Sequence, residues 1–251
     1  MTYSNKSKKS GHKACINCID GTTLSRNLIA SGSEDESVRI WDIRTDRAVK
    51  CIAKCFGSSV EAVKFSTLKD DAIYAVSGKS LFEFDLRYEG VLIQTPVARA
   101  ENKSSEDLNA LAVSLSGKYL AVSDDAGVIT IFDNEKLNVH KPKKLRGHNS
   151  LVNAISFSPN DPHGLVSGGF DYQLLLWNIT APGNTFTSMV NIAKLGNIDY
   201  DEFTAKSVNP PFVQSICYVC DGSGIAVALG DGSVRHNVPC FSLLNLPYRP
   251  A

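Results

Sequence analysis

The sequence predicts an all-β protein built from repeated four-stranded antiparallel sheets, and three observations carry that expectation. The set Gly11-His12, Ser31, Asp35, Trp41-Asp42 recurs as Gly147-His148, Ser167, Asp171, Trp177-Asn178, with the same intervals of 19, 4 and 6 residues between its members. The two sets lie 136 positions apart, which is three periods of about 45, and a repeat of that length is one four-stranded unit. Two further units must then lie between them, and the aromatic-acid endings Phe84-Asp85 (LFEFDLR) and Phe132-Asp133 (VITIFDNEK) fall where those periods place them.

Taken in order, residues 1–10 form a flexible N-terminus, and the repeats run over about 11–57, 58–104, 105–146 and 147–180, with a partial fifth over 211–235. Each opens on a strand of the type LVNAISFSP, from Leu151 to Pro159, echoed by SVEAVKFS from Ser59 and DLNALAVSLSG from Asp107. A small residue recurs inside that strand as Cys18, Ala62, Ala110 and Ala154. Apolar-rich segments such as NLIASGS, polar turns such as EDES or DDAG, and alternating strands such as VRIWD follow, a period-2 grammar proper to antiparallel sheets. Residues 96–106 and an insert over 181–210, which carries Asp199, Asp201 and Glu202, are expected to be exposed loops. After Val234-Arg235 the repeat stops, and 236–251 is a non-repeat tail. Units of this kind close into β-propellers of 4–8 blades, which protects their strand edges. Four repeats and a partial fifth therefore point to an incomplete version of a seven-bladed ring.

Composition narrows the function. With 43% apolar and 21% charged residues the chain is globular, and a chain of 251 residues buries roughly 70–75% of its unfolded surface without metal or disulfide staples. Lys plus Arg and Asp plus Glu both number 26, leaving no net field to draw the chain to nucleic acid or to an anionic membrane. No apolar run reaches the ~18 residues of a membrane span, and no signal-peptide segment follows Lys6, Lys8 and Lys9. A cytoplasmic and/or nuclear location is expected, and seven cysteines, an odd number, read as reduced core residues.

Several groups mimic chemical sites. His12, Ser31 and Asp35, and again His148, Ser167 and Asp171, hold the ingredients of a nucleophilic triad, but a set repeated once per structural unit is what a scaffold needs, so no catalytic residue, cofactor or small-molecule substrate is expected. Cys15-x-x-Cys18 and Cys217-x-x-Cys220 mimic halves of a zinc site; both fall in first strands, where positions three apart face opposite sides, so no metal is expected. Lys141-Pro142-Lys143-Lys144-Leu145-Arg146 fits a short basic import signal or, equally, an exposed lead into a strand.

On the His-Ser-Asp-Trp sets and the repeat length, the chain resembles the WD40 repeat family. The segment Leu165–Asn178, with the insert ending NPPFVQS, is similar to one member of it. The resemblance implies a β-propeller that binds other proteins, with His12, Ser31, Asp35 and Trp41, and His148, Ser167, Asp171 and Trp177, forming structural tetrads. Within that family, Asp35, Trp41, Asp42 and Arg44 resemble the signature of substrate-receptor subunits that dock on cullin-4 ubiquitin ligases through their DNA-damage-binding adaptor. Phe84-Asp85-Leu86-Arg87 matches it in part, with Gly78 in place of the first acid, which makes Arg87 a second candidate contact. The alternative is a general scaffold, or a reader of peptides or histone tails, with no ligase connection.

Overall fold

The computed structural model describes residues 11–22, 24, 27–45, 47–69, 71–101, 106–137, 141–183, 186–194, 209–219 and 222–239. They form five sheets distributed over two compact units, residues 1–101 and 102–251, each described by itself. No helix among the described residues is long and apolar enough to cross a membrane.

In the first unit, β1 (Ile16–Gly21), β2 (Leu28–Ser33), β3 (Ser37–Asp42) and β4 (Arg47–Ala53) pair in sequence order as one antiparallel sheet. The second sheet is β5 (Val60–Phe65), β6 (Ala72–Ser77), β7 (Ser80–Asp85) and, after the short β8 (Leu92–Ile93), β9 (Ala98–Glu101). Val38, Ile40 and Ile52 of the first sheet share a buried core with Val60, Val63, Ile73, Phe82 and Phe84 of the second.

Two findings here depart from the sequence reading. β9 lies within 96–106, a stretch expected to be loop: Ala98 and Ala100 alternate with Arg99 and Glu101, only Ala100 is buried, and an outermost strand needs no more than that to dock on β7. The first sheet also has five strands rather than four, because β8 adds to its outer strand β4 in parallel, with Cys51 opposite Leu92 and Ile52 opposite Ile93. The Lys50 ammonium donates to the carbonyls of Tyr88 (2.5 Å) and Gly90 (3.2 Å), and Cys51 N donates to the Val91 carbonyl at 2.8 Å. An edge that would otherwise present unpaired backbone groups is thereby covered.

The second unit holds β10 (Leu108–Val113), β11 (Tyr119–Asp124), β12 (Val128–Asp133) and β13 (Lys143–Arg146); then β14 (Val152–Phe157), β15 (Gly164–Gly169), β16 (Gln173–Asn178) and β17 (Ser188–Asn191); then β18 (Val213–Tyr218), β19 (Gly224–Leu229) and β20 (Val234–Pro239). β17 corrects the insert assigned to 181–210: the buried Val190, and Ile192 just beyond it, anchor the fourth strand of that blade there. β20 likewise runs past 235 into the segment read as tail. Residues 240–251, the acids Asp199, Asp201 and Glu202, Cys220 and the N-terminal lysines lie outside the described residues. Lys143 and Leu145 of the basic stretch belong to β13, with Leu145 buried and the Lys143 ammonium held by the carbonyls of Ile179 (3.0 Å) and Ala181 (2.6 Å).

The recurring small residue has a structural cause. In all five sheets the register of the first strand slips at one place, between Ile16 and Cys18, Val60 and Ala62, Leu108 and Ala110, Val152 and Ala154, and Val213 and Ser215. A bulge of this kind bends the strand and re-aims the residues on either side of it. It sets Cys18 opposite Gly32 and Ala154 opposite Gly168, and the first residue of the following sheet plugs into that gap. A Cβ on Gly32 would lie 2.7 Å from Val60 Cγ1, and one on Gly168 would lie 2.3 Å from Val213 Cγ1. Cys18 is thus a packing residue, and burial pushes its thiol up to about 11, far from the thiolate that a metal or a redox step needs.

Candidate functional site

Two polar tetrads form, one in each unit, with the same geometry. Trp41 Nε1 donates to Ser31 Oγ at 2.8 Å, Ser31 Oγ meets His12 Nε2 at 2.8 Å, and His12 Nδ1 meets Asp35 at 3.0 Å. Trp177, Ser167, His148 and Asp171 repeat this at 2.8, 2.8 and 3.0 Å. Every atom is satisfied if each imidazole is neutral with its proton on Nδ1: the indole donates to the hydroxyl, the hydroxyl to Nε2, and Nδ1–H to the carboxylate. The carboxylate also accepts the backbone N–H that follows the histidine, from Lys13 at 2.8 Å and from Asn149 at 3.0 Å. Each tetrad therefore ties the entry of its blade to the β2–β3 or β15–β16 turn and to the strand beyond. Ser167 is fully buried between its two partners, so its hydroxyl has no face to offer a substrate.

Burial pushes the Asp35 carboxyl upward, but the hydrogen bonds from Ser37, Lys13 N and His12 outweigh it and bring the group down to about 2. Asp171 is lowered too, its burial outweighed by His148, Asn149 N and Gln173 N. Both groups bind protons less readily folded than unfolded. The stability Asp35 contributes is complete above the ordinary carboxylate value of 3.8 and is lost as pH falls through that value toward about 2, and the contribution of Asp171 is likewise lost on acidification. The melting-temperature difference between the native chain and Asp35→Asn is expected to be constant near neutral pH and to shrink below about pH 4, as thermal unfolding at stepwise lower pH will read.

The second and third sheets carry no such tetrad, and their substitutions are concerted. Phe56, Ala75, Gly78 and Phe84 stand at the positions of His12, Ser31, Asp35 and Trp41, with the Phe56 and Phe84 rings edge to face at 5.6 Å where the His12 and Trp41 rings are at 6.5 Å. Val122 and Phe132 replace the hydroxyl and the indole in the third sheet, and both are buried. Where the indole donor is lost its acceptor is lost with it, so neither leaves the other unpaired.

The docking candidates divide by exposure. Asp35 and Trp41 belong to the tetrad, and Asp42 is buried at the end of β3. Arg44 folds back on Asp42, Nε to Oδ1 at 3.0 Å and Nη2 to Oδ2 at 2.7 Å, while its own N–H donates to Oδ1 at 2.9 Å. Its side chain is still 66% exposed, so it presents a fixed cation at the surface. Those hydrogen bonds hold the Asp42 carboxyl down at about 2. Arg87 repeats the clasp on Asp85, Nε to Oδ1 at 3.0 Å and Nη2 to Oδ2 at 2.6 Å, and adds Asp71 at 3.0 Å. Of the five residues named from sequence, Arg44 and Arg87 have exposed side chains, Asp42 holds Arg44 in place, and Asp35 and Trp41 belong to the tetrad. Sequence spacing alone gave no sign that each arginine would already hold a carboxylate two residues before it.

Repeated antiparallel four-stranded blades, two of them tied by His-Ser-Asp-Trp tetrads, resemble the WD40 repeats of β-propellers. Residues 4–42 and 140–178 match the family model described as WD domain, G-beta repeat. The chain is similar to the WD repeat-containing protein 53 homolog of Dictyostelium discoideum, 28% identical over 242 residues, which cover 92% of this chain and 64% of that protein. It is also similar to the histone acetyltransferase type B subunit 2 of Debaryomyces hansenii, 25% identical over 63% of this chain and 40% of that protein, and to human WD repeat-containing protein 37, 25% identical over 64% and 32%. The chain thus spans less than two thirds of the length of each of these relatives. What the fold and these likenesses support in common is a protein-interaction scaffold.

Proposed function

We propose that this scaffold is a substrate-receptor subunit, docking on the DNA-damage-binding adaptor of cullin-4 ubiquitin ligases through the braced arginines of its first unit. The observation that carries the reading is the paired clasp: Asp42–Arg44 and Asp85–Arg87 occupy the same place, at the end of the third strand of successive blades, and each fixes an arginine whose side chain remains largely exposed. A planar, pre-positioned cation loses little side-chain freedom when it takes up a partner's carboxylate or carbonyl. Such a receptor works in the cytoplasm and/or nucleus, with its substrate held elsewhere on the blades.

Arg44→Ala is expected to reduce co-purification of the adaptor by about tenfold or more, and Arg44→Ala with Arg87→Ala to abolish it, at an unchanged melting temperature. Undiminished recovery with the double variant would sink the docking reading. Binding to peptides that is indifferent to both arginines would favour the general scaffold or histone-tail reader instead.

A further inference from the structure

The fourth strand of each blade is its outer edge, and one position on it differs from blade to blade. Opposite Ile40, Glu83, Ile131 and Leu176 of the third strands stand Lys50, Ala98, Lys143 and Ser188 in turn. The two lysines act alike, each reaching the segment that follows the third strand of the next blade. Lys50 donates to the carbonyls of Tyr88 and Gly90, and Lys143 to those of Ile179 and Ala181. Tyr88 and Ala181 are the same acceptor position, three residues past Asp85 and Asn178 at the ends of β7 and β16.

Beyond that clamp the two segments part. The chain after Tyr88 runs on into β8 and covers β4: Cys51 N donates to the Val91 carbonyl at 2.8 Å, Leu92 lies opposite Cys51, and Ile93 opposite Ile52 enters the core. The chain after Ala181 has less length, since β17 begins seven positions on at Ser188 where β9 begins ten past Tyr88 at Ala98. By Phe186 it has returned to its own blade, the ring edge to face on Trp177 at 5.9 Å, and Thr187 N donates to the Leu176 carbonyl at 2.7 Å. Among the described residues β13 therefore ends its sheet, with no strand in the place that β8 takes on β4. Lys144, opposite Thr130, stands where Cys51 stands opposite Arg39, so by the same register its N–H points out of the sheet. Side chains alternate along this edge: Leu145 is buried with Ile179 on the face toward the next blade, while Lys144 and the exposed Arg146 lie on the other face.

We propose that the outer edge of β13 takes an extended acidic segment of a partner protein, added in parallel as β8 adds to β4, with an apolar residue beside Leu145 and a carboxylate beside each of Lys144 and Arg146. The covered edge of the first blade sets the pattern: Ile93, beside Ile52, is 4% exposed, and Leu92, beside Cys51, is 40% exposed. Leu145 keeps the apolar requirement of Ile52, whereas Lys144 replaces the neutral Cys51 with a cation, and directly opposed charges of unlike sign stabilise a strand pair. Backbone hydrogen bonds to the edge hold any extended peptide, and the two cations select the acidic one. This edge lies in the second unit and the arginine clasps in the first, so neither reading depends on the other.

Fluorescence polarisation of the purified full chain with two labelled peptides, Ser-Val-Asp-Val-Asp-Ser and Ser-Val-Lys-Val-Lys-Ser, tests this. The acidic peptide is expected to bind at about 10–100 µM, at least about tenfold more tightly than the basic one, and more weakly as salt is raised. Lys144→Glu with Arg146→Glu is expected to invert that preference at an unchanged melting temperature, because neither side chain is buried. Lys144→Pro is expected to bind the acidic peptide about tenfold more weakly than Lys144→Ala, since both lose the ammonium and only the proline loses the outward N–H, at an edge position where proline is tolerated. Absence of binding by the acidic peptide up to about 1 mM overturns the proposal. So does equal affinity for the two peptides, a double variant that keeps the native preference, or a proline variant that binds as tightly as the alanine one.

Discussion

His148→Ala is expected to destabilise the second unit by about 2–6 kcal/mol, because the Ser167 hydroxyl loses its acceptor and Asp171 loses its imidazole donor, at about 1–3 kcal/mol apiece. The side chain it removes is completely enclosed, and the Ser167 hydroxyl, held at 2.8 Å from both His148 and Trp177, has no water to turn to. A catalytic reading of the same residues would leave stability untouched, so chemical denaturation of the variant separates the two. The second sheet shows how the loss can be compensated: changing the set together, with His148→Phe, Ser167→Ala, Asp171→Gly and Trp177→Phe, copies Phe56, Ala75, Gly78 and Phe84. This fourfold variant is expected to lose less than the sum of its single changes, since members of one hydrogen-bonded network are not additive. A fourfold loss equal to that sum would show that the tetrad is not a unit.

Gly168→Ala is expected to lower stability by about 1–3 kcal/mol, the range for an overpacked core. The added Cβ would stand 2.3 Å from Val213 Cγ1, 2.8 Å from Val213 Cβ and 2.9 Å from Ile216 Cδ1, so neighbours on β18 must move. Backbone conformation is not the reason, since Gly168 is not among the residues with positive φ. Val213→Ala alone opens a cavity, but in the Gly168→Ala background it removes the clash. The double variant is therefore expected to be more stable than the sum of the two single changes predicts, by about 1 kcal/mol or more. Simple additivity in urea denaturation would mean that the two strands do not pack as described.

Much of this was legible in the residues. The two tetrads were placed by spacing alone because a hydrogen-bonded chain of four side chains fixes its own intervals: 19, 4 and 6 residues are what one hairpin, one turn and one strand require. The small position at Cys18, Ala62, Ala110 and Ala154 was visible as a recurrence, whereas its cause, a bulge and an inserted branched residue from the next blade, was not. β9 and β17 were missed because an outermost strand buries one or two residues and is otherwise as polar as a loop. The parallel strand β8 left no mark, since what defines it is the lysine that clamps it and the edge it covers, both of which lie in another repeat.

By itself the sequence determined the all-β repeat and the residues that lock two of the blades, for a physical reason: period-2 burial and a self-contained side-chain network are local properties, complete within about one repeat. Only the tertiary structure decided which of the named residues face outward. Arg44 and Arg87 became a matched pair of cations braced by Asp42 and Asp85, and Asp35 and Trp41 became members of the buried tetrad. Lys143 and Leu145 read as part of a basic run until β13 was set beside the next blade, because exposure belongs to what packs against a residue and not to the residue itself.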